Sequence, residues 1–317
     1  MLDILSITGP IYLAIAAGFL ATRFGLFAKA DMRVFGKFVV QIALPALLFN
    51  ALSQKPLREV LNAEYLAVYA LGSLGMLGAG LFYARVLAGK SLSYSSYFAM
   101  GVSCPNSGFV GYPIVLLTMG PIAGVVLALN MIVENLLLIP LLLALADAQP
   151  DARGQWLRSL RQTLQRLLSN PMILAIIAGV ALSLAGWQLP GAVARTVNIF
   201  AQASGALALF AIGGTLVGLP VKGLRAEVAQ IAFGKLILHP LLTLAVLLWV
   251  VPIQDMQLRE AVLITAALPM LSIYPVLAQK HGHEGVSAAA LVVTTALAFF
   301  TLSVLLWALR GGLIWSA

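Results

Sequence analysis

Long apolar runs separated by short polar links dominate the chain from one end to the other. A membrane-spanning helix needs about 20 predominantly apolar residues, with a range of roughly 17–25. Ten runs reach that length, near residues 4–22, 34–53, 65–87, 97–119, 122–146, 171–189, 196–218, 227–251, 259–279 and 285–309. The pattern therefore predicts an all-α polytopic membrane protein with ten transmembrane helices, which we number as spans one to ten.

The composition agrees with a membrane protein and excludes several other classes. Of the 317 residues, 61% are apolar and 9% are charged, whereas a soluble domain carries about a quarter charged residues. The net charge of +8 reflects basic cytoplasmic loops, so the expected partner is the lipid bilayer and not a nucleic acid. The single cysteine, Cys104, excludes an internal disulfide. No zinc or haem spacing occurs, and we expect neither a metal nor a cofactor.

Basic residues concentrate in alternate links between the spans. Most of the 19 lysines and arginines fall in one set of links, which contains Arg23, Lys90 and Arg158 among others. Short loops rich in lysine and arginine stay on the cytoplasmic side. The distribution therefore predicts that both termini lie outside.

The fourth span is interrupted by a cluster of helix-breaking residues between Cys104 and Pro113. Proline has no N–H group and its ring clashes with the carbonyl one turn back, so a helix is not expected to pass unbroken through Pro105 and Pro113. In lipid, each freed backbone group costs several kcal/mol unless protein or cavity water satisfies it. The ninth span contains a second such interruption, with Pro269 and Pro275. One proline kink is common in membrane helices, but two breaks at corresponding places indicate helices opened around a ligand.

The two halves of the chain resemble each other. Spans one and six both start near a proline, Pro10 and Pro171, and spans four and nine are both interrupted. Residues 1–146 are predicted to form a first five-helix repeat, 147–170 a cytoplasmic linker and 171–317 a second five-helix repeat. An odd number of spans inverts the second repeat in the membrane. Inverted repeats with paired broken helices are typical of secondary transporters, which bind substrate near the midplane.

Several motifs are similar to those of a known family. They are Leu44-Pro45-Ala46-Leu47-Leu48-Phe49, the stretch from Pro105 to Pro113, Lys235-Leu236-Ile237-Leu238-His239-Pro240, and Pro269 with Tyr274-Pro275. Over its whole length the chain resembles the auxin efflux carrier family, which includes plant auxin exporters and bacterial carriers of malonate, malate and related organic acids. The short central link favours the bacterial malonate and organic-acid branch, located in the bacterial cytoplasmic (inner) membrane. The resemblance implies that broken helices of spans four and nine cross, that transport uses an elevator-type motion, and that a homodimer can form.

The two interruptions supply the candidate substrate site. The N-terminal end of a helix carries roughly half a positive charge and favours an anion such as a carboxylate. The half-helices that start after Pro105 and Pro269 are expected to face each other, and the Asn106 carboxamide can both donate and accept hydrogen bonds. Alternatively, Asn106 only caps the second half-helix. The predicted substrate-binding residues are Pro105, Asn106, Ser107, Gly108, Pro269, Ser272 and Tyr274.

Two ionisable residues inside spans are candidates for ion or proton coupling. Glu134 lies about halfway along span five, with Asn130 one turn before it, and a carboxyl group at that depth usually marks an ion or proton path. It is predicted to carry a proton or, with Asn130, to bind a cation, unless it only forms a structural hydrogen bond. Lys235 lies roughly 12 Å into span eight and could pair with Glu134, attract an anion or extend to the interface. Na⁺ or H⁺ is the expected coupling ion.

Four functions fit an interrupted ten-span protein to different degrees. The first is a carrier of a small organic anion such as malonate, malate or an auxin-like carboxylate. A sodium-coupled bile-acid-type symporter of the same fold would show sodium dependence and a steroid-sized pocket, and a passive anion channel would show channel-like currents. An intramembrane enzyme is disfavoured because Ser107 and His239 lack any protease spacing, so no catalytic residue is predicted.

Overall fold

The computed structural model describes residues 2–54, 61–148, 169–219 and 225–315, and in these ranges the chain is helical. The α-helices are α1 (Leu2–Arg23), α2 (Lys29–Phe38), α3 (Leu44–Ser53), α4 (Ala63–Phe82), α5 (Leu92–Ser103), α6 (Tyr112–Met119), α7 (Ala123–Val133), α8 (Ile139–Asp147), α9 (Pro171–Leu184), α10 (Gly191–Thr215), α11 (Arg225–Phe233), α12 (His239–Trp249), α13 (Met256–Ala266), α14 (Tyr274–Gln279) and α15 (Glu284–Arg310). Within the described ranges, β structure is limited to one isolated antiparallel bridge between Pro105 and Met270.

Each of the ten predicted spans coincides with a helix or with consecutive helical segments. Among the residues described, six segments are long and apolar enough to cross a membrane: Lys29–Ser53, Ala63–Leu87, Ser107–Asp147, Gly191–Thr215, Ala226–Trp249 and Glu284–Arg310. The prediction of a helical fold is confirmed for the described residues, and the six apolar segments agree with a polytopic membrane protein. The count of ten crossings, the inverted repeat and the division at residues 146 and 171 stay predictions, and most of the predicted linker lies outside the described residues.

Four prolines follow π-helical turns within apolar helices. The turns are Val39–Ala43, Ser107–Gly111, Glu134–Leu138 and Gly234–Leu238, and each ends two residues before a proline: Pro45, Pro113, Pro140 and Pro240. A proline ring clashes with the carbonyl four residues earlier, and a wider turn at that point lets the helix continue. The expectation that Pro113 breaks the helix is therefore wrong, because the turn at Ser107–Gly111 accommodates it.

Spans four and five are separated at Gly120. Helix α6 ends at Met119, and Gly120 adopts a φ of 73°, a conformation that glycine reaches without the steric penalty of other residues. Pro121 follows within a short 3₁₀ turn. This turn divides the continuous helical stretch Ser107–Asp147 at the place where the hydropathy pattern predicts a link.

The chain forms two compact units, each assembled from separate parts of the sequence. Unit 1 contains Met1–Ala63, Ser107–Met131 and Ser169–Gly218. Within it, α1 packs along α10, and α3 packs against α9 and α10. A methyl group added at Gly213 would overlap the carbonyl oxygen of Ile15. The helix backbones therefore approach closely through a small residue, as is common between membrane helices.

Unit 2 contains Glu64–Asn106, Ile132–Leu168 and Leu219–Ala317. Here α5 packs against α8, α12 against α13, and α14 against α15. Buried polar side chains are frequent in this unit and include a lysine, a glutamate and a histidine. A polar group that is buried without a hydrogen-bond partner is costly. The interior of unit 2 therefore also has to contain the hydrogen-bond partners of these side chains.

Candidate functional site

Helices of spans four and nine are both interrupted in the structure. In span four, α5 ends at Ser103 and helical structure resumes at Ser107. In span nine, α13 ends at Ala266 and α14 begins at Tyr274. The predicted interruptions are thus confirmed, and both 104–106 and 267–273 belong to unit 2.

The two interruptions cross and pair through their backbones. The Asn106 N–H group donates to the Pro269 carbonyl oxygen at 2.9 Å. The Leu271 N–H group donates to the Cys104 carbonyl oxygen at 3.1 Å. Backbone groups that each helix leaves unsatisfied are therefore satisfied by the other, which is what a non-helical segment inside a membrane protein requires.

Side chains also meet at the crossing. The Asn106 side-chain Nδ2 donates to Ser272 Oγ, and Asn106 is 3% exposed. Pro105 and Pro269 are buried beside them in the paired segments. Four residues of the predicted substrate set, Pro105, Asn106, Pro269 and Ser272, are thus brought together in unit 2.

The other three predicted substrate residues are placed differently. The Tyr274 hydroxyl is buried and donates to the Tyr97 carbonyl oxygen at 2.8 Å. This hydrogen bond holds the start of α14 against α5. Ser107 and Gly108 open the π-helical turn that follows the first interruption, and both belong to unit 1. Their contribution to a substrate site stays a prediction.

Lys235 is completely buried. Its side-chain nitrogen lies at the C-terminal end of another helix, α13. Its Nζ donates to the Ala266 carbonyl oxygen at 2.6 Å and lies 3.0 Å from His239 Nδ1. Ala266 is the last residue of α13, where the helix dipole places roughly half a negative charge. The interpretation that Lys235 extends to the interface is wrong, because its side chain is 0% exposed and its ammonium group caps α13.

A buried histidine, His239, lies between Lys235 and a further polar residue, Ser73. His239 Nε2 lies 3.1 Å from Ser73 Oγ, and both side chains are buried. Lys235 and His239 are four residues apart, which places them on the same helix face. That spacing inside an apolar span is the sequence signal that could have identified His239 as a partner of Lys235.

Glu134 is bound by a tyrosine from another helix. The Tyr69 hydroxyl donates to Glu134 Oε1 at 2.7 Å, and both side chains are buried. Glu134 opens the π-helical turn Glu134–Leu138 in unit 2, whereas Asn130, one turn earlier along the helix, belongs to unit 1. Sequence analysis did not identify Tyr69.

A row of polar residues along α4 reaches three different spans. Tyr65, Tyr69 and Ser73 are spaced by four residues, so they lie on one face of the helix. Tyr65 contacts Thr265 at 3.4 Å between hydroxyl oxygens, while the other two contact Glu134 and His239 as described. The signal for this row was the four-residue spacing of polar residues in an otherwise apolar span.

Comparisons with known proteins place these features in context. A family model described as membrane transport protein matches residues 8–307. A protein of Rhizobium meliloti (strain 1021) named "Putative malonate transporter" is 29% identical over 318 residues, covering 98% of this chain and 98% of the relative. Proteins named "Uncharacterized transporter YfdV" from Escherichia coli (strain K12) and Shigella flexneri are each 28% identical over 246 residues, covering 75% of this chain and 76% of the relative.

Proposed function

The chain belongs to the auxin efflux carrier family of membrane transport proteins, and we propose that it is a secondary carrier of small organic acid anions. Membership in a transporter family implies transport and not catalysis. We propose that the anion binds at the crossing of spans four and nine. The observation that carries this proposal is the antiparallel pairing of the two interruptions inside unit 2, because it brings the polar side chains of Asn106 and Ser272 together within an otherwise apolar protein.

The proposed binding groups are the Asn106 carboxamide and the helix that starts at Ser107. The N-terminal end of a helix carries partial positive charge, which favours a carboxylate. The Asn106 side chain is held by Ser272 across the crossing, which restricts its orientation. A carboxamide offers donors to an anion without adding a charge, so release of the substrate is not opposed by an ion pair.

Malonate is the first substrate to test, because a relative that covers almost the whole chain is named as a malonate transporter. Malate and auxin-like carboxylates are the next. The family resemblance supports an elevator-type motion, a homodimer and a location in the bacterial inner membrane. The distribution of basic residues supports both termini lying outside.

The coupling ion is proposed to act through Glu134. This carboxyl group is buried and accepts a hydrogen bond from Tyr69, and a carboxyl group at such depth is suited to carry a proton or bind Na⁺. Asn130 and Lys235 complete the proposed coupling set. Lys235 contributes a buried amino group that donates to the end of α13.

Substitution of the carboxyl group tests the coupling proposal. Glu134→Gln keeps the shape and the contact with Tyr69 but cannot exchange a proton at pH 7 or neutralise a cation. We expect gradient-driven accumulation to be lost while exchange of labelled for unlabelled substrate is retained. Accumulation equal to that of the native protein would remove Glu134 from the coupling set.

Uptake into proteoliposomes tests the function itself. Labelled malonate, malate and indole acetate are offered with and without imposed sodium and proton gradients, and we expect saturable uptake of at least one acid. Sodium-dependent uptake of a steroid acid instead would support the bile-acid-type symporter. Ionic currents at channel rates would support a passive anion channel, and either result would overturn the proposal.

A further inference from the structure

Unit 1 contains an open cavity of about 310 Å³ with a mixed polar and apolar lining. Side chains of α3, α6 and α10 line it, together with the turn after α6. Its polar lining consists of Asn50, Gln54, Tyr112, Asn198 and Gln202, and we call it the carboxamide cavity. All of these residues belong to unit 1, so the carboxamide cavity is separate from the crossing in unit 2.

The carboxamides form two pairs with the same spacing. Asn50 lies in α3 and Gln54, four residues later, caps the C-terminal end of that helix, while Asn198 and Gln202 are four residues apart in α10. Residues with this spacing share one face of a helix. A carboxamide that faced hydrocarbon without a hydrogen bond would be costly, so the face of Asn198 and Gln202 requires water or a ligand, whereas Asn50 and Gln54 bind each other.

The donors of the cavity are available to a ligand. The Gln54 Nε2 donates to Asn50 Oδ1 at 2.7 Å, which fixes these two side chains against each other. Across the described part of the chain, no protein group hydrogen-bonds the Asn198 or Gln202 carboxamide or the Tyr112 hydroxyl. Asn198 and Gln202 are exposed, so their NH₂ groups can bind a molecule that enters.

The lining suits a small carboxylate. It offers NH₂ and hydroxyl donors, which bind carboxylate oxygens, and none of its residues is acidic and would repel an anion. None is basic either, so binding is weak and readily reversed. A volume of about 310 Å³ is at the lower end of the roughly 300–1,000 Å³ of ligand pockets, which favours an acid of malonate size over a steroid acid.

We propose that the carboxamide cavity is a second, weaker binding site for the organic anion. The identity of the ligand rests on the proposed function. A weak site of this kind raises the local concentration of substrate without retaining it.

A single introduced thiol reports on occupancy of the cavity. Cys104 is the only cysteine of the chain and is buried, so Leu116→Cys, at an exposed apolar residue of the cavity lining, provides one accessible thiol and keeps all five polar residues of the lining. We expect malonate at ten times its dissociation constant to slow labelling by a neutral maleimide about tenfold, because only the unoccupied fraction reacts. Gln41→Cys, also exposed in unit 1 but outside the cavity lining, is the matched control and should be labelled at the same rate with and without malonate.

Thiol labelling and uptake, measured side by side, distinguish failure of the cavity site from failure of the carrier function. Adding Asn106→Ala to the Leu116→Cys protein should abolish uptake but preserve protection by malonate. Protection that disappears with Asn106→Ala, or is absent from the start, would overturn the cavity site even if the native protein transports malonate. Protection of the introduced thiol by malonate, when the native protein transports no acid, would overturn the carrier and leave the cavity site standing.

Transport kinetics give an independent measurement. Asn198→Ala combined with Gln202→Ala removes two donors, and each hydrogen bond is worth about 1 kcal/mol, so we expect KM for malonate to rise about 5- to 30-fold. The maximal rate should not change, because the crossing is intact. An unchanged KM would contradict the proposal.

Discussion

The two interruptions that cross in unit 2 are built differently. The first, at 104–106, is short and leads into the helical stretch that starts at Ser107 and continues to Met119. The second, at 267–273, is longer and leads into α14, which has only 6 residues. Peptide dipoles add along a helix, so the helix after the first interruption offers the stronger positive end to an anion.

The interruptions also differ in how they are held. Other helices fix the second: Lys235 caps the end of α13 and the Tyr274 hydroxyl binds the Tyr97 carbonyl group. The first is held by backbone pairing with the second and by the contact of Asn106 with Ser272. We infer that the first interruption supplies the binding groups and that the second supplies the fixed support.

The largest expected effect is on the first interruption. Asn106→Ala removes the carboxamide but keeps the backbone hydrogen bond to Pro269. A hydrogen bond to a charged group is worth about 1.5–3 kcal/mol, and orientation is lost as well, so uptake of malonate should fall at least about 100-fold. Thermal unfolding of the purified protein should change little, and uptake equal to that of the native protein would remove Asn106 from the site.

Lys235→Met tests the support of the second interruption. It leaves the Ala266 carbonyl group buried without its donor, which costs about 1–3 kcal/mol, so the midpoint of thermal unfolding should fall clearly. Lys280→Met is the matched control, because the Lys280 side chain is 68% exposed and its ion pair with Asp147 is worth about 0–1 kcal/mol. Equal shifts in the two variants would contradict the capping role.

Ser272→Ala tests whether the second interruption acts on substrate only through the first. The variant loses one acceptor for Asn106, a hydrogen bond of about 0.5–1.5 kcal/mol. We therefore expect KM for uptake to rise about 2- to 12-fold, well below the effect of Asn106→Ala. A loss as large as that of Asn106→Ala would mean that both interruptions bind the anion equally.

The smallest effect is expected for Tyr274→Phe. The hydroxyl that binds the Tyr97 carbonyl group is lost, at a cost of about 0.5–1.5 kcal/mol in the free energy of unfolding. Because that hydroxyl is committed to α5, KM for malonate should stay within about twofold, the scale of an ordinary conservative change. A large rise in KM with an unchanged unfolding midpoint would instead indicate direct contact with substrate.

The amino-acid sequence alone determined the helical membrane architecture and the two interruptions. Apolar runs of sufficient length and prolines act locally, so their consequences can be read along the chain. The wider turn before Pro113 could not be predicted in the same way, since whether a helix kinks, breaks or widens at a proline depends on what its neighbours can satisfy.

The partners of the buried polar groups were decided only by the tertiary structure. Tyr69 and Glu134 are 65 positions apart, Asn106 and Ser272 are 166 apart, and Tyr65 and Thr265 are 200 apart. The sequence indicated that Glu134 and Lys235 needed partners, because buried charge is costly. The packing of the helices decides which partners these two residues have. It also brings four carboxamides together around one cavity in unit 1.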